Sequence, residues 1–211
     1  MPDALLFDFD GVVVDSEPVH LACFREVLAC RDIDLVTRDY YTKYLGFDDH
    51  DCFATVLADN GREVDEDLIA EMTAEKTAAV QRVFADTVRP LPGAVELMRS
   101  ARSAGVAVAI CSGALREEIE LAGRTVGATE HVQALIAAED VSAGKPDPEG
   151  YRMAMAELAT RTARTPDPAR CWVIEDSPAG VAAGKAAGCR VLAVTPSYPA
   201  EALHEADRVV D

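Results

Sequence analysis

Two aspartates stand two residues apart near the start of the chain, where a short apolar run ends. Asp8 and Asp10 belong to the stretch ALLFDFDGVVVDSEP, whose apolar residues predict a buried strand over Leu5–Phe9. A buried carboxylate is costly, and two together are costlier unless a cation or a proton lies between them. The spacing therefore predicts a group that neutralises both acids.

Polar residues also follow three other predicted strands, at the end where ligands bind in an α/β sheet. Because the carboxyl ends of parallel strands meet at one crevice, we expect these residues to converge there with Asp8 and Asp10. Carboxylates are the ligands that Mg²⁺ prefers, whereas a hydroxyl, a lysine and free backbone N–H groups bind anions. The combination predicts a site for a phosphoryl group, with one carboxylate as nucleophile and another as acid–base. The residues are Ser112, Gly113, Lys145, Glu175 and Asp176.

Apolar runs and helical patterns alternate over residues 89–211, and they predict the elements that position these groups. Runs that are apolar throughout indicate strands buried on both faces, as in a parallel sheet. Proline in the first turn and glycine just past the end mark some of the helices. This order predicts a doubly wound, Rossmann-like α/β core. After the first strand, we expect strands at Val106–Cys111, Ala134–Ala137, Cys171–Ile174, Arg190–Val194 and Arg208–Val210, and helices at Val95–Ser103, Leu115–Val126, Pro148–Thr160 and Pro178–Ala187.

Residues 16–88 interrupt the alternation, because they contain amphipathic helical patterns and no convincing strand. The patterns cover His20–Arg31, Asp51–Asp59 and Asp65–Phe84. We therefore expect an α-helical cap domain inserted after the first strand, with the core formed by residues 1–15 and 89–211.

Composition excludes several functional classes. The chain of 211 residues has 37 acidic and 20 basic residues, a formal net charge of −17, which argues against a nucleic-acid surface. No apolar stretch is long enough to span a membrane, and the start MPD lacks the basic residues of a secretory signal. The six cysteines form no C-x-x-C pair, which predicts free thiols. We expect a soluble, cytoplasmic protein; the sequence leaves open whether it is a monomer or a homodimer.

Four motifs together resemble the haloacid dehalogenase-like (HAD) superfamily, in its branch with a helical cap that includes β-phosphoglucomutase and phosphoglycolate phosphatase. They are DFDGVVVDSEP, CSG, GKPDP and IEDSPAGVAAGKAAG, in the order of that family. The resemblance implies that Asp8 attacks phosphorus to form an aspartyl-phosphate. It implies that Asp10 protonates the leaving oxygen and then deprotonates the attacking water, while Ser112 and Lys145 hold the transferring oxygens.

The same resemblance implies an Mg²⁺ cofactor. Asp8, Asp176 and the backbone carbonyl of Asp10 would coordinate the ion, and Glu175 would support it directly or through water. True dehalogenases of the superfamily resemble this chain but lack an acid at the position of Asp10 and need no metal. The resemblance therefore favours phosphoryl transfer over cleavage of a carbon–halogen bond.

The substrate-binding residues are less well defined than the core motifs. The resemblance implies that the cap closes over the substrate, and the loop YLGFDD belongs to its substrate-facing part. The residues that would contact the substrate are Gly11, Gly113, Glu17, His20 and Lys76. We expect a phosphoric monoester hydrolase acting on a small phosphorylated metabolite, with a sugar phosphate as the favoured class.

Other functions stay open at this point. A β-phosphoglucomutase-type mutase is the nearest alternative enzyme. Such mutases resemble this chain but have a basic residue in the cap loop that holds the second phosphate, whereas the stretch Phe47–Asp51 of this chain is acidic and would repel it. A receiver-type signalling domain has an acidic pocket of similar composition, yet such domains have roughly 120 residues and no helical insertion. A non-catalytic phosphate-binding protein on the same fold is the third alternative.

Overall fold

The computed structural model describes residues 1–45, 47 and 49–210, except for the side chains of residues 84–86. The chain forms two compact units. The larger unit comprises Met1–Asp15 and Val88–Asp211, and the smaller unit comprises Ser16–Thr87.

The elements are numbered in chain order. The strands are β1 Ala4–Phe7, β2 Val14–Asp15, β3 Arg89–Pro90, β4 Ala107–Cys111, β5 Ala134–Ile136, β6 Cys171–Glu175, β7 Arg190–Val194 and β8 Arg208–Val210. The α-helices are α1 Glu17–Ala29, α2 Thr37–Asp39, α3 Asp49–Asp59, α4 Glu66–Thr87, α5 Ala94–Ser103, α6 Arg116–Thr125, α7 Glu149–Thr162 and α8 Pro178–Ala186. A π-helical turn covers Tyr40–Tyr44, and 3₁₀ turns cover Thr129–His131, Ala138–Asp140, Pro168–Arg170 and Ala200–Leu203.

Six strands of the larger unit form one parallel sheet in the order β5-β4-β1-β6-β7-β8. β1 is central, and its last residue Phe7 is in register with Ile110 of β4 and Ile174 of β6. The residues that follow these three strands therefore emerge at the same end of the sheet. The doubly wound α/β core predicted from the sequence is confirmed.

One hydrophobic cluster of the larger unit lies where α7 and α8 pack on the sheet. Leu158 of α7, Val181 of α8 and Val173 of β6 are fully or almost fully buried in it. Gly184 of α8 allows this helix to lie close to the strands, since a Cβ there would be 2.9 Å from Val191 Cγ2. The helix therefore rests on the sheet through backbone at this position.

β1 ends two residues earlier than the sequence pattern predicts. The Asp8 N–H still donates to the carbonyl of Ile174 in β6, and the backbone then turns at Phe9, whose carbonyl accepts hydrogen bonds from the N–H groups of Val13 and Val14. Gly11, with φ of +70°, completes this turn. The short antiparallel pair of β2 with β3, Val14 with Pro90 and Asp15 with Arg89, was not predicted, because two residues are too few to show a strand pattern.

The smaller unit has a hydrophobic core of its own. Phe24 of α1 packs edge-on against Phe53 of α3, with ring centroids 5.0 Å apart, beside the buried Ile69 and Met72 of α4. The three predicted helical patterns correspond to α1, α3 and α4; α2 and the π-helical turn were not predicted. Among the helices that the structure describes, none is long and apolar enough to cross a membrane.

Candidate active site

Lys145 joins two buried acids at the carboxyl end of the sheet. Asp8 follows β1 directly, and its Oδ1 atom lies 2.7 Å from Lys145 Nζ. The same ammonium donates a hydrogen bond of 2.6 Å to Oε1 of Glu175, the last residue of β6. Glu175 is fully buried and Asp8 is 8% exposed. Neighbouring strands thus deliver the two carboxylates, and a loop between them in sequence delivers the cation.

Glu175 is held by five hydrogen bonds. Its Oε1 accepts from Lys145 and from the Tyr151 hydroxyl at 2.9 Å. Its Oε2 accepts from the backbone N–H groups of Asp176 and Ser177 and from the Ser177 hydroxyl. A Cβ at Gly180 would lie only 1.8 Å from Glu175 Oε1, so the first turn of α8 packs directly against the carboxylate. With both oxygens occupied, Glu175 fixes Lys145 and the start of α8.

The protonation energetics follow from this burial. Burial opposes the charge of Glu175, but Lys145 and the hydrogen bonds from Lys145, Tyr151 and Ser177 bring the pKa of Glu175 below its ordinary value. Burial raises the pKa of Asp8 well above the usual range, because Lys145 offsets only part of the desolvation. Lys145 is itself desolvated, yet the charges of Asp8 and Glu175 raise its pKa, so the ammonium stays charged.

Asp176 adds a third buried carboxylate. It is 5% exposed, and burial raises its pKa to about 7, with a hydrogen bond from Ser197 opposing that shift. Gly11 approaches it so closely that a Cβ there would lie 1.9 Å from Asp176 Oδ2. Asp10 lies in the same turn, where its backbone bridges to Val14. Gly11 is therefore where the turn after β1 contacts the loop after β6.

Ser112 and Gly113 follow β4 beside this cluster. The Ser112 N–H donates to the carbonyl of Ile136, and its Oγ accepts a hydrogen bond of 3.0 Å from the Ala114 N–H. Both residues line a cavity of about 310 Å³ together with Lys145 and Tyr151. A Cβ at Gly113 would meet no atom within 4 Å, so the backbone there is open to a ligand.

Three carboxylates in this cluster fit a divalent cation. One oxygen from each of Asp8, Glu175 and Asp176 lies within 4.8 Å of the others, and all three residues are buried. Only Lys145 among the described residues forms an ion pair with any of them. Three acids and one lysine leave an excess of buried negative charge, and oxygen donors of this type suit Mg²⁺. Asp10 is expected to contribute a further ligand to the cation through its backbone carbonyl oxygen.

The predicted substrate-binding residues Glu17, His20 and Lys76 all lie in the smaller unit. The Tyr40 hydroxyl donates to Glu17 Oε2 at 2.7 Å. Lys76 is 4% exposed; its ammonium lies 2.5 Å from Asp49 Oδ1 and 4.4 Å from the centroid of the Phe24 ring.

His20 is half-buried, and desolvation together with the charge of Lys76 lowers its pKa to about 3, so the imidazole is neutral at pH 7. Gly46 and Asp48 of the predicted substrate-facing loop lie outside the described residues.

Sequence reasoning missed three residues of the core cluster. Tyr151 lies within the helix predicted over Pro148–Thr160, and Ser177 lies within the motif IEDSPAGVAAGKAAG, but neither side chain was assigned a role from the sequence. Ser197, which hydrogen-bonds Asp176, lies in a loop with no motif. The Ser-Pro dipeptide at the start of α8 is a capping signal, and Ser177 Oγ does accept from the Gly180 N–H at 3.1 Å. No pattern in the sequence could have paired Tyr151 with Glu175.

Comparison with known proteins decides the family. The family profile described as haloacid dehalogenase-like hydrolase matches residues 2–188. The chain belongs to this family. It is 34% identical to validoxylamine A 7'-phosphate phosphatase of Streptomyces hygroscopicus subsp. limoneus, over 96% of this chain and 90% of that protein. It is 29% identical to hexitol phosphatase A of Escherichia coli, over 97% and 88%.

A solved structure of a HAD-like relative has the same fold. CbbY from Rhodobacter sphaeroides, in complex with phosphate, superposes with a TM-score of 0.81 at 27% identity, covering 100% of this chain and 94% of that one. The enzyme class expected from the sequence, a phosphoric monoester hydrolase, is confirmed by the matches to HAD-like phosphatases.

Removing the Tyr151 hydroxyl should weaken the core. Tyr151→Phe keeps the ring but deprives the buried Glu175 of one donor, so the free energy of unfolding should fall by about 1–3 kcal/mol. Urea unfolding followed by fluorescence of Trp172, the single tryptophan, measures this in the larger unit. Tyr41→Phe, at a residue 40% exposed in the smaller unit, serves as the control and should change stability by less than about 0.5 kcal/mol. A Tyr151→Phe variant as stable as wild type would contradict the role given to this hydroxyl.

Proposed function

We propose that this chain is a Mg²⁺-dependent phosphatase that hydrolyses a small phosphorylated metabolite, with a sugar phosphate as the favoured class, through an aspartyl-phosphate on Asp8. The observation that carries the proposal is the buried Asp8 carboxylate, 2.7 Å from Lys145 and beside two further acids. Relatives named as phosphatases of hexitols and of validoxylamine A 7'-phosphate support the substrate class. The phosphate in the CbbY complex is consistent with it.

In the first step, an Asp8 oxygen attacks the phosphorus atom and the bond from phosphorus to the leaving oxygen breaks. Asp10 gives its proton to that oxygen, so the metabolite departs as an alcohol. Lys145 and the Ser112 hydroxyl bind the phosphoryl oxygens and stabilise the charge they carry in the transition state. The buried hydrogen bonds of Glu175 hold the Lys145 ammonium in place for this task.

In the second step, water attacks phosphorus and the bond to the Asp8 oxygen breaks. Asp10, now deprotonated, takes a proton from the water, and inorganic phosphate leaves with Asp8 regenerated. Asp10 therefore serves both steps, and Asp8 cannot replace it because its own oxygen is bonded to phosphorus.

Asp8, Asp176 and the Asp10 carbonyl would hold Mg²⁺, and Glu175 would act from behind them by orienting Lys145 and Asp176. When bound, the ion offsets the negative charge of the carboxylates and the phosphoryl group and so lets the two approach. We favour Asp8 and Asp176 over Glu175 as direct ligands because both oxygens of Glu175 already accept hydrogen bonds from the protein.

The two basic residues predicted to contact the substrate, His20 and Lys76, offer little for a second phosphate group. Lys76 is a buried cation, but Asp49 already neutralises it. His20, with its pKa near 3, contributes no positive charge at neutral pH. We therefore favour a monophosphate substrate over a sugar bisphosphate, and hydrolysis over a mutase reaction. Substrate contacts by Gly11, Gly113, Glu17, His20 and Lys76 stay predictions.

Asp8→Asn should abolish turnover, because an amide cannot act as the nucleophile while it can still accept a hydrogen bond from Lys145. The measurement is phosphate release across a panel of phosphorylated metabolites, with far-ultraviolet circular dichroism to verify folding. Asp15→Asn, an exposed acid at the end of β2, is the matched control and should keep full activity. Residual activity of Asp8→Asn above about one per cent would exclude Asp8 as the nucleophile.

Chelation should inactivate the enzyme reversibly. EDTA should remove activity and added Mg²⁺ should restore it. In titration calorimetry, the wild type should bind Mg²⁺ and Asp176→Asn should bind it at least about tenfold more weakly, since one hard ligand is lost. The Asp15→Asn control should match the wild type. Activity that survives thorough chelation would rule out the metal role of Asp176.

A product analysis separates a phosphatase from a mutase. The enzyme is incubated with a hexose 1-phosphate, with and without the matching hexose bisphosphate, and ³¹P NMR follows the products. We expect inorganic phosphate from the monophosphate and no hexose 6-phosphate. Asp49 already neutralises Lys76, so this lysine is not available to bind the second phosphate that a mutase reaction requires. Isomer formation dependent on the bisphosphate would instead identify a mutase.

A further inference from the structure

A second cavity opens at the opposite end of the sheet from Asp8, within the larger unit. It has a volume of about 220 Å³. Its lining includes Asp3 before β1, Arg102 in the last turn of α5, Gln133 before β5, and Arg164 and Thr165 after α7. Asp3 and Asp8 flank β1, and five steps of about 3.3 Å place them about 16 Å apart. The cavity is therefore separate from the candidate active site.

Most other arginines of the larger unit have a hydrogen-bond or ion-pair partner for the guanidinium group. Arg124 pairs with Glu120, Arg161 with Glu157 and Arg170 with Asp3. Arg116 pairs with Asp140, and Arg152 donates to the carbonyl of Ala186.

By contrast, the guanidinium groups of Arg102 and Arg164 form no hydrogen bond or ion pair with any residue that the structure describes. Arg102 belongs to α5 and Arg164 to the loop after α7, and the fold brings them to one cavity.

The carboxylate of Asp3 in this lining already has hydrogen-bond donors of its own. Asp3 accepts hydrogen bonds from Arg170 Nε at 3.0 Å and from the Asp167 N–H at 3.2 Å. Gln133 uses its Oε1 to accept from the Val108 N–H, which leaves its NH₂ group as a donor. The charge of Asp3 attracts Arg164 as well as Arg170, without an ion pair to Arg164. The cavity thus holds N–H donors and two positive charges against one carboxylate that Arg170 already pairs, in a chain whose net charge is −17.

We propose that this cavity binds a small phosphate dianion, either inorganic phosphate or a short phosphomonoester, at a site distinct from the catalytic centre. Guanidinium groups present paired N–H donors that match phosphate oxygens, and two of them with an amide NH₂ can bind three oxygens. The volume is below the roughly 300 Å³ at which drug-sized ligand pockets begin, which limits the ligand to a few heavy atoms beyond the phosphate.

Solution NMR of the full chain locates binding by residue, which separates this site from the catalytic one. In ¹H–¹⁵N spectra titrated with inorganic phosphate, the amides of Gly105, Ala107 and Thr165 should shift and saturate. Gly113 reports the catalytic centre in the same spectra. In the double variant Arg102→Ala with Arg164→Ala, the dissociation constant read from the cavity amides should rise about tenfold or more, while the Gly113 shifts persist.

The control removes the same charge elsewhere. Arg99→Ala with Arg208→Ala changes two exposed arginines outside the cavity, and the cavity amides should respond as in the wild type. Methylphosphonate, which has no hydrolysable ester, separates the two sources. If it binds more tightly than inorganic phosphate, the ligand is a phosphomonoester; the reverse order identifies inorganic phosphate.

Three results would overturn the proposal. The shifts of the cavity amides could fail to saturate with either probe below about 10 mM. A dissociation constant of that size corresponds to a binding free energy of less than about 3 kcal/mol. Their shifts could survive unchanged in the cavity double variant, or weaken equally in the control. Succinate, a dicarboxylate, could bind more tightly than both phosphate probes, which would reject the phosphate class.

Discussion

The contact on which the candidate site depends is the one between Lys145 and its two carboxylates. Asp8 and Glu175 end neighbouring strands, so the parallel sheet alone places two acids side by side in a buried position. Such an arrangement is unfavourable without a cation between them. Lys145 supplies that cation from a distant part of the sequence, and its ammonium lies within 2.7 Å of both carboxylates. The hydrogen bonds that Tyr151 and Ser177 donate to Glu175 then complete the set of partners around this carboxylate.

This network links the folding of the larger unit to the assembly of its site. Glu175 is at once the end of β6, the acceptor for Lys145 and the acceptor for the first N–H groups before α8. The contact between Gly11 and Asp176 similarly joins the turn after β1 to the loop after β6. The loop with Lys145 and the start of α8 cannot move away from β6 without leaving the buried Glu175 carboxylate short of a donor. The burial of polar groups is therefore sufficient to fix the geometry of the candidate site.

Sequence reasoning succeeded where local pattern and sheet geometry act together. Apolar runs predicted the six strands of the parallel sheet, and their polar ends predicted that Asp8, Lys145, Glu175 and Asp176 would converge. It failed where contacts depend on packing between distant segments. Tyr151 looked like any apolar residue on a helix face, and nothing in the sequence placed its hydroxyl against Glu175. The pair of arginines at the other end of the sheet was invisible for the same reason. The strands β2 and β3 have two residues each, too few to carry a pattern, and the π-helical turn at Tyr40–Tyr44 lies outside every predicted helical pattern.

The β2–β3 pair determines how the length of the segment between these strands affects the folding entropy of the larger unit. Val14 and Asp15 lie antiparallel to Pro90 and Arg89, so the segment between them leaves and re-enters the larger unit at one point. For the folding of the larger unit, that segment acts as a loop whose two ends are held together by the pairing of β2 with β3. The entropy of closing a loop grows only with the logarithm of its length, so that even a doubling costs about 0.6 kcal/mol. The chain between the two short strands could therefore be lengthened, shortened or replaced at little cost in loop-closure entropy to the sheet.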